Sequence, residues 1–327
     1  MLYTDNLEDI IFSRHELIDA NELIVLSGYL GPKPVEKLSE LPFKSKVIHG
    51  MHGEEGVVKQ IHDSLVNIQR AHSQVDIFYS VIPVHSKCYV WRKDGSIVQA
   101  LLGSANFSQT ALTTPFREVL AETTKDTFEP LNKYLRYVLD RSKSCLESDV
   151  KIKGVASQPK SEAHIPSGQT TCRVTLLDPR TNEVQLSNGL NWGQGARGHT
   201  NPNDANIPIR TSYLRSFPGL FPPKQEISLL DQDEGRRSRN NDSVEVIWDD
   251  GVIMRGLLEG SQWIDDVRYP KQFCSFPNKS EMGEYFRYRL GVPSGQPVRK
   301  IHLDSYGRSD IEITLLEEGV YYFDFSA

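Results

Sequence analysis

The sequence predicts two domains of different class: an α/β layer domain over residues 1–150 and an all-β sandwich or barrel, interrupted by a helix, over residues 171–327. Three observations lead there. A chain of 327 residues is long enough for two cores, at roughly 100–200 residues per domain. The first 150 residues alternate short apolar runs with amphipathic stretches, whereas from Cys172 onward short alternating runs are separated by turn clusters. Between them, residues 151–170 (KIKGVASQPKSEAHIPSGQT) hold few large apolar side chains and read as a linker.

In the first part, ELIVLSGYLG reads as a buried strand running into a Gly-containing turn. Pro34 then opens a short helix, PVEKLSEL, because proline suits the first helical turn. KSKVIHG is a second strand. GVVKQIHDSLVNIQRAH places Val57, Ile61, Leu65 and Ile68 at helical spacing. VDIFYSVIPVHSKCYVW is strand material, RKDG is a hairpin turn, IVQALLGSANFS returns as a strand, and FEPLNKYLRYVLDRS is a helix. In the second part the strand candidates are RVTLLD, EVQLS, EISLLD, SVEVIW, VIMRGLL, QFCSF, KIHLD, DIEITLL and YYFDF. The helix is KSEMGEYFRYRLG, with Ser280 or Asn278 as its cap and Gly291 as its stop.

Composition narrows the function. With 38% hydrophobic and 24% charged residues, no apolar run approaching the roughly 18 residues of a membrane span and no signal-peptide order at the start, a cytoplasmic protein is expected, with no membrane partner. Cys88, Cys145, Cys172 and Cys274 have no zinc-ligand spacing and read as reduced core thiols. The nine histidines form no HExxH pair, and His49 and His52 in HGMHG read as a loop, so no metal site is expected. A net charge of -6 argues against a nucleic-acid partner only weakly. Residues 1–160 carry 13 Lys and 6 Arg, residues 161–327 carry 4 Lys and 14 Arg, and Arg is the side chain that reads phosphates and guanine edges bidentately.

The chemistry concentrates in VHSKCYVW and LLGSANFS. On paired strands His85 and Lys87 share a face, as do Ser104 and Asn106, so four polar side chains converge where packing alone gives no reason for them. A strand histidine is a competent nucleophile toward phosphorus when a carboxylate orients its ring; Glu118 is the candidate and Glu122 the alternate. Lys87 and Asn106 would donate to the non-bridging oxygens, and a second histidine must protonate the leaving oxygen. The bland reading, a satisfied core histidine beside a snorkelling lysine, leaves Gly103 and Asn106 unexplained.

His85-Ser86-Lys87 with Gly103-Ser104-Ala105-Asn106 resembles the HxK...GSxN signature of the phospholipase D superfamily. The resemblance implies a phospholipase-D-like fold for residues 1–150, phosphodiester hydrolysis through a phosphohistidine without metal, and, since the motif occurs once, a homodimer whose two histidines meet in a composite site. The longer form of the motif carries an aspartate where this chain has Arg92, with Asp94 displaced into the turn; that aspartate is structural in the superfamily, so the catalytic set carries over.

SNGLNWGQGARGHTNPNDANIPI gathers Asn188, Asn191, Trp192, Gln194, Arg197, His199 and Asn201, closely followed by Arg210. A second cluster holds Gln262, Trp263, Arg268, Lys271, Gln272, Asn278 and Lys279. Asn, Gln and Arg pair bidentately with adenine and guanine edges, so Asn191, Trp192, Gln194, Arg197, Arg210, Gln262, Trp263, Lys271, Gln272, Asn278 and Lys279 are the candidate DNA-binding residues. A hydrophilic surface loop is the competing reading. The order LNWGQ...R...IPI, a DDG turn, NKSEMGEYFRYRLGVPSG and LDSYGR...YYFDF resembles the C-terminal half of NgoFVII-type restriction endonucleases. This implies a plant B-three-like pseudobarrel with one or two short helices, double-stranded DNA as partner and a sequence-specific endonuclease. It also implies a possible separate helicase-like subunit, through which alone ATP and Mg would enter. The chain itself has no GxxxxGK[ST]. Rival readings are a non-specific phosphodiesterase or nuclease of the superfamily, a DNA-binding protein with an inert nuclease domain, and a scaffold.

Overall fold

The computed structural model describes residues 1–153, 171–195, 200–224 and 241–327. The chain divides into two compact units, Met1–Gln158 and Pro159–Ala327. The first contains β1 (Leu2–Tyr3), α1 (Leu7–Ser13), β2 (Glu22–Ser27), α2 (Pro32–Lys37), β3 (Lys44–His49), α3 (His52–Glu55), β4 (Val57–Val58) and α4 (Lys59–Ala71). β5 (Val75–Ser80), β6 (Lys87–Lys93), β7 (Ser96–Gly103), α5 (Gln109–Thr113), β8 (Leu120–Glu122), α6 (Phe128–Leu139), β9 (Ser142–Ser144) and β10 (Ile152–Lys153) follow. Its main sheet has the order β1-β8-β7-β6-β2-β3-β5-β9. β2, β3 and β5 run parallel, joined through helical crossovers, while β6 runs antiparallel to β2. The C-terminal end of β2, the N-terminal end of β6 and the C-terminal end of β7 therefore lie at one edge of the sheet.

The strands at the centre read as continuous apolar runs because both faces are covered. Ile24 and Leu26 of β2, with Ile48, Val90 and Ala100, meet Leu131, Leu135 and Val138 of α6. The intervening Leu23, Val25 and Val47 are just as fully buried and, by the two-residue period, belong to the opposite face. Asp94 and Gly95, both at positive φ, make the two-residue turn between β6 and β7 that RKDG predicts.

Several expectations shift. The helix expected to open at Pro34 starts at Pro32. Val57, placed at helical spacing, is in β4, and α4 buries Ile61, Leu65 and Ile68 without it. Of the proposed linker 151–170, Ile152–Lys153 pair in parallel with Val57–Val58 and so belong to the first unit; residues 154–170 lie outside the described residues.

The second unit contains β11 (Thr171–Thr175), β12 (Ile207–Pro208), α7 (Thr211–Ser216), β13 (Asp242–Trp248), β14 (Ile253–Glu259), β15 (Gln262–Ile264), β16 (Val267–Tyr269) and β17 (Gln272–Ser275). α8 (Ser280–Leu290), α9 (Lys300–Tyr306), β18 (Asp310–Glu317) and β19 (Val320–Asp324) complete it. A seven-stranded sheet, β11-β18-β19-β13-β14-β17-β12, curls into a pseudobarrel around Val174, Ile207, Trp248, Phe273, Phe286, Leu303 and Phe323. KIHLD, expected as a strand, is α9 instead: Leu303 faces the core, His302 Nδ1 accepts from the Arg299 N–H at the helix start, and Lys300 pairs with Asp304 one turn on. EVQLS forms no strand, and EISLLD lies outside the described residues. Gly291, at φ +65°, ends α8, and Asn278 Oδ1 accepts from the Ser280 N–H at its start.

Buried Arg287 organises the loop before β12. Its guanidinium donates to the carbonyls of Gln296 (2.8 Å), Gly283 (3.0 Å), Pro202 (3.2 Å), Asn203 (3.4 Å) and Leu190 (3.4 Å), so one side chain satisfies five backbone acceptors.

Candidate active site and nucleic-acid interface

At the shared sheet edge, His85 stands on the lead-in to β6 and is exposed, while Lys87, the first residue of that strand, is 6% exposed. Lys87 Nζ lies 3.1 Å from His85 Nε2 and 2.6 Å from the His85 carbonyl. An ammonium can only donate, so Nε2 is the acceptor there and the ring proton belongs on Nδ1. This tautomer presents an Nε2 lone pair beside a cation. Burial lowers the Lys87 pKa, opposed by the charge of Glu118.

β7 ends at Gly103, so the GSxN residues lie on its exit rather than on the strand. Asn106 turns toward β2: its Oδ1 accepts from the Tyr29 N–H and the Ser27 hydroxyl, both at 3.3 Å, leaving Nδ2 as the end that can donate elsewhere. Ser104 turns the other way, donating to Glu118 and accepting from the Val119 N–H at 3.1 Å. Three of the four expected side chains thus converge, and the fourth anchors the carboxylate. Glu118, expected on the His85 ring, has its described hydrogen bond with Ser104 instead and reaches the site through its charge on Lys87. Glu122, the alternate, accepts from Tyr3 (2.7 Å), Gln99 (3.0 Å) and Arg14. The Tyr3 hydroxyl, then Arg14, holds it below the usual carboxylate range, and this network takes it out of the site.

The sequence reading missed the fourth wall. Ser27 ends β2, Gly28 and Tyr29 follow it directly, and this turn is laced to its neighbours by Gly50 N–H to Ser27 O (2.7 Å), Met51 N–H to Gly28 O (3.1 Å) and Gly31 N–H to Phe107 O (2.8 Å). The Tyr29 ring stands edge-on to His85 at 6.2 Å, and its hydroxyl donates to Glu55 at 2.7 Å. A small polar residue and a glycine at the carboxyl end of a buried parallel strand was the available signal, because ligands bind beyond such ends. Arg92, in place of the motif's aspartate, is buried and ties Asn132 of α6 (2.6 Å) to Glu22 of β2 (3.7 Å), a structural station of opposite charge.

His49 ends β3 fully buried, edge-on to Tyr29 and Tyr79, with neither ring nitrogen hydrogen-bonded among the described residues. Burial first, then the charges of His52 and Lys153, lowers its pKa to about 3. Its unfolded value is about 6.5, so the unfolded chain binds the extra proton first as pH falls. The stabilisation is complete above pH 6.5 and is lost toward pH 3, with a slope of about 1.4 kcal/mol per pH unit. His49→Phe is expected to flatten the acid limb of the melting curve against pH; an unchanged limb would contradict this. Among the described residues no group of three or more His, Cys, Asp or Glu could hold a metal ion, and no helix is long and apolar enough to cross a membrane. All four cysteines are buried and free.

In the second unit most candidate DNA-binding residues have their polar atoms engaged. Asn191 is buried, with Nδ2 on the carbonyls of Val298 (2.7 Å) and Gln185 (3.0 Å) and Oδ1 on the Val298 N–H (2.7 Å); it clamps the loop and has no exposed edge for a base. Gln194 donates to Pro202 O and Gly295 O, and Gln262 to Ile209 O and Pro270 O. Arg210 donates to Leu177 O and the Tyr213 hydroxyl. Buried Glu259 holds Lys279 (2.7 Å) and Gln272 (3.3 Å), and Lys279 also covers the Trp192 ring at 4.7 Å. Asn278 is exposed, but its Oδ1 is taken by the Ser280 N–H. Trp263, 69% exposed on the β15–β16 hairpin, and exposed Lys271 present themselves to solvent, and Arg197 lies outside the described residues. Sequence composition marks polar residues but not which of them close a loop on itself.

Two family models match this chain. A family model described as the NgoFVII restriction endonuclease N-terminal PLD domain matches residues 5–152, and one described as the NgoFVII C-terminal B3-like DNA-binding domain matches residues 166–317. Similar solved structures include NucT from Helicobacter pylori, at 17% identity and TM-score 0.31, covering 42% of this chain and 87% of that one. Another is the phospholipase D family member Nuc from Salmonella typhimurium, at 12% identity and TM-score 0.30, with coverages of 42% and 87%. No curated protein matches the chain at a significant level. With its two family matches together spanning most of its length, the chain belongs to the NgoFVII restriction endonuclease family, as a phospholipase-D-superfamily phosphodiester hydrolase joined to a B3-like DNA-binding domain.

Proposed function

We propose that this protein is a sequence-specific DNA endonuclease, acting in the cytoplasm as a homodimer and cleaving through a covalent phosphohistidine on His85. The observation that carries the reading is the pairing of His85 Nε2 with Lys87 Nζ at 3.1 Å, across from an Asn106 whose Oδ1 is already held. The Nε2 lone pair attacks phosphorus, and the bond from phosphorus to one bridging oxygen breaks. Lys87 and Asn106 donate to the non-bridging oxygens, placing fixed dipoles and a cation where charge develops, a task a bound metal ion performs in other enzymes. The leaving alkoxide takes a proton from His85 of the second copy. Water, deprotonated by that same imidazole, then attacks the phosphorus and releases His85.

All three converging side chains address phosphate and none reads a base, so sequence choice falls to the second unit. Sequence-independent cleavage is the second reading, favoured by this phosphate-only site and by the family evidence, which carries hydrolase activity and DNA binding without specifying a sequence. A randomised duplex pool digested in EDTA, with the fragment ends sequenced, separates the two. Ends sharing a short motif are expected. Random ends would establish the second reading, and cleavage abolished by EDTA would contradict the metal-independent step. Adding ATP, magnesium and a helicase-like subunit tests the partner that the family resemblance implies. Arg197→Ala is expected to weaken duplex binding roughly tenfold, as for one lost base contact, and to leave hydrolysis of a small phosphodiester unchanged.

A further inference from the structure

We infer that Gly28 is a positioning residue of the active site: the missing side chain reserves the space in which His85, Lys87 and Asn106 converge, and so sets where the His85 ring stands. A Cβ built on Gly28 would lie 2.9 Å from His85 Cδ2, 3.4 Å from Lys87 Nζ and 3.4 Å from Asn106 Oδ1. No other glycine for which such contacts are given points at all three of these side chains. A carbon at 2.9 Å is closer than van der Waals contact permits, so the imidazole would have to move, and it carries the nucleophilic Nε2 with it.

The chemistry of the neighbours separates this glycine from those that serve packing. At Gly50 a Cβ would meet the Val84 carbonyl at 2.0 Å, and at Gly103 the Val119 carbonyl at 1.9 Å; both are backbone atoms, which can give way only if the main chain itself moves. Around Gly28 the three nearest atoms are the ends of side chains, one of them exposed. Gly28 is not at positive φ either, so alanine meets no backbone penalty there. The fold therefore accepts Gly28→Ala, and the change is confined to the relative positions of the catalytic atoms. Displacement of a reacting group by a fraction of an ångström costs turnover far more than binding.

The inference rests on the reading of His85 as nucleophile, and its test has one arm that needs no activity. In the full-length protein, Gly28→Ala is expected to lower kcat on bis(p-nitrophenyl) phosphate about 10- to 100-fold, and Gly28→Val further. KM should stay within about threefold, and melting temperature and duplex affinity should be unchanged. Histidine-selective 15N NMR of the same variant should shift the His85 imidazole signals while leaving those of His49 and His62 in place. Unchanged His85 signals, unchanged kcat, or a loss of melting temperature comparable to that of Gly103→Ala would each overturn it. A wild-type protein that hydrolyses nothing would sink the phosphodiesterase reading and leave the NMR arm to decide the role of Gly28.

Discussion

His85→Ala is expected to abolish strand cleavage, with kcat falling by about four orders of magnitude or more, while duplex affinity stays within about twofold and the melting temperature is unchanged. The size of the loss follows from the proposed role, because removing the atom that forms the covalent bond leaves only charge stabilisation and binding. The insensitivity of stability follows from the structure. His85 is exposed, lies outside β6, and its ring touches Tyr29 edge-on and Lys87 rather than the apolar core. Lys87→Ala should lose cleavage comparably but also some stability, since Lys87 is buried and its ammonium bonds the His85 carbonyl. Single-turnover cleavage of a labelled duplex, with binding measured separately on the same variants, checks both. A His85→Ala protein that still cleaves would remove the histidine from the chemistry altogether.

Arg287→Met gives the largest expected effect on stability, a loss of about 3–5 kcal/mol confined to the second unit. Five carbonyls lose the guanidinium at once in a site where Arg287 is 1% exposed; Pro202 O keeps its bond from Gln194, but an apolar side chain returns none of the five lost bonds. The acceptors include Leu190, Pro202 and Asn203, so the loop that carries Trp192 and Gln194 should loosen and duplex affinity should fall with it. Trp192, Trp248 and Trp263 are in the second unit and Trp91 is in the first. Denaturant unfolding followed by tryptophan fluorescence should therefore show an early transition of large amplitude. Hydrolysis of a small phosphodiester should persist through it; a single late transition, as in the unsubstituted protein, would contradict the account.

Much of this was legible in the sequence where one residue type can do only one thing. His85 and Lys87 on an otherwise apolar segment had no packing role, and the Asp94-Gly95 turn could be only a hairpin. The continuous apolar run of β2 required cover on both faces. Legibility failed where contact decides the role. Ser104 and Asn106 look equivalent at their spacing, yet the chain leaves the sheet at Gly103 and sends one to Glu118 and the other to Tyr29. Gly28 and Tyr29 carried no motif because their importance comes from the register that sets β2 beside β6. KIHLD has an alternation suited to a strand, and its helical state depends on the Arg299–His302 cap and the burial of Leu303. Asn191 has the chemistry to read a base and is used by Val298 instead.

In the proposed mechanism one side chain of this protein becomes bonded to phosphorus during cleavage. The stereochemical course at a chiral phosphorothioate placed at the scissile position, cleaved in isotopically labelled water, tests this directly, because each in-line displacement inverts the centre once. Two displacements, the first by His85 and the second by water, predict net retention; net inversion would mean that water attacks the phosphodiester directly and would contradict the account.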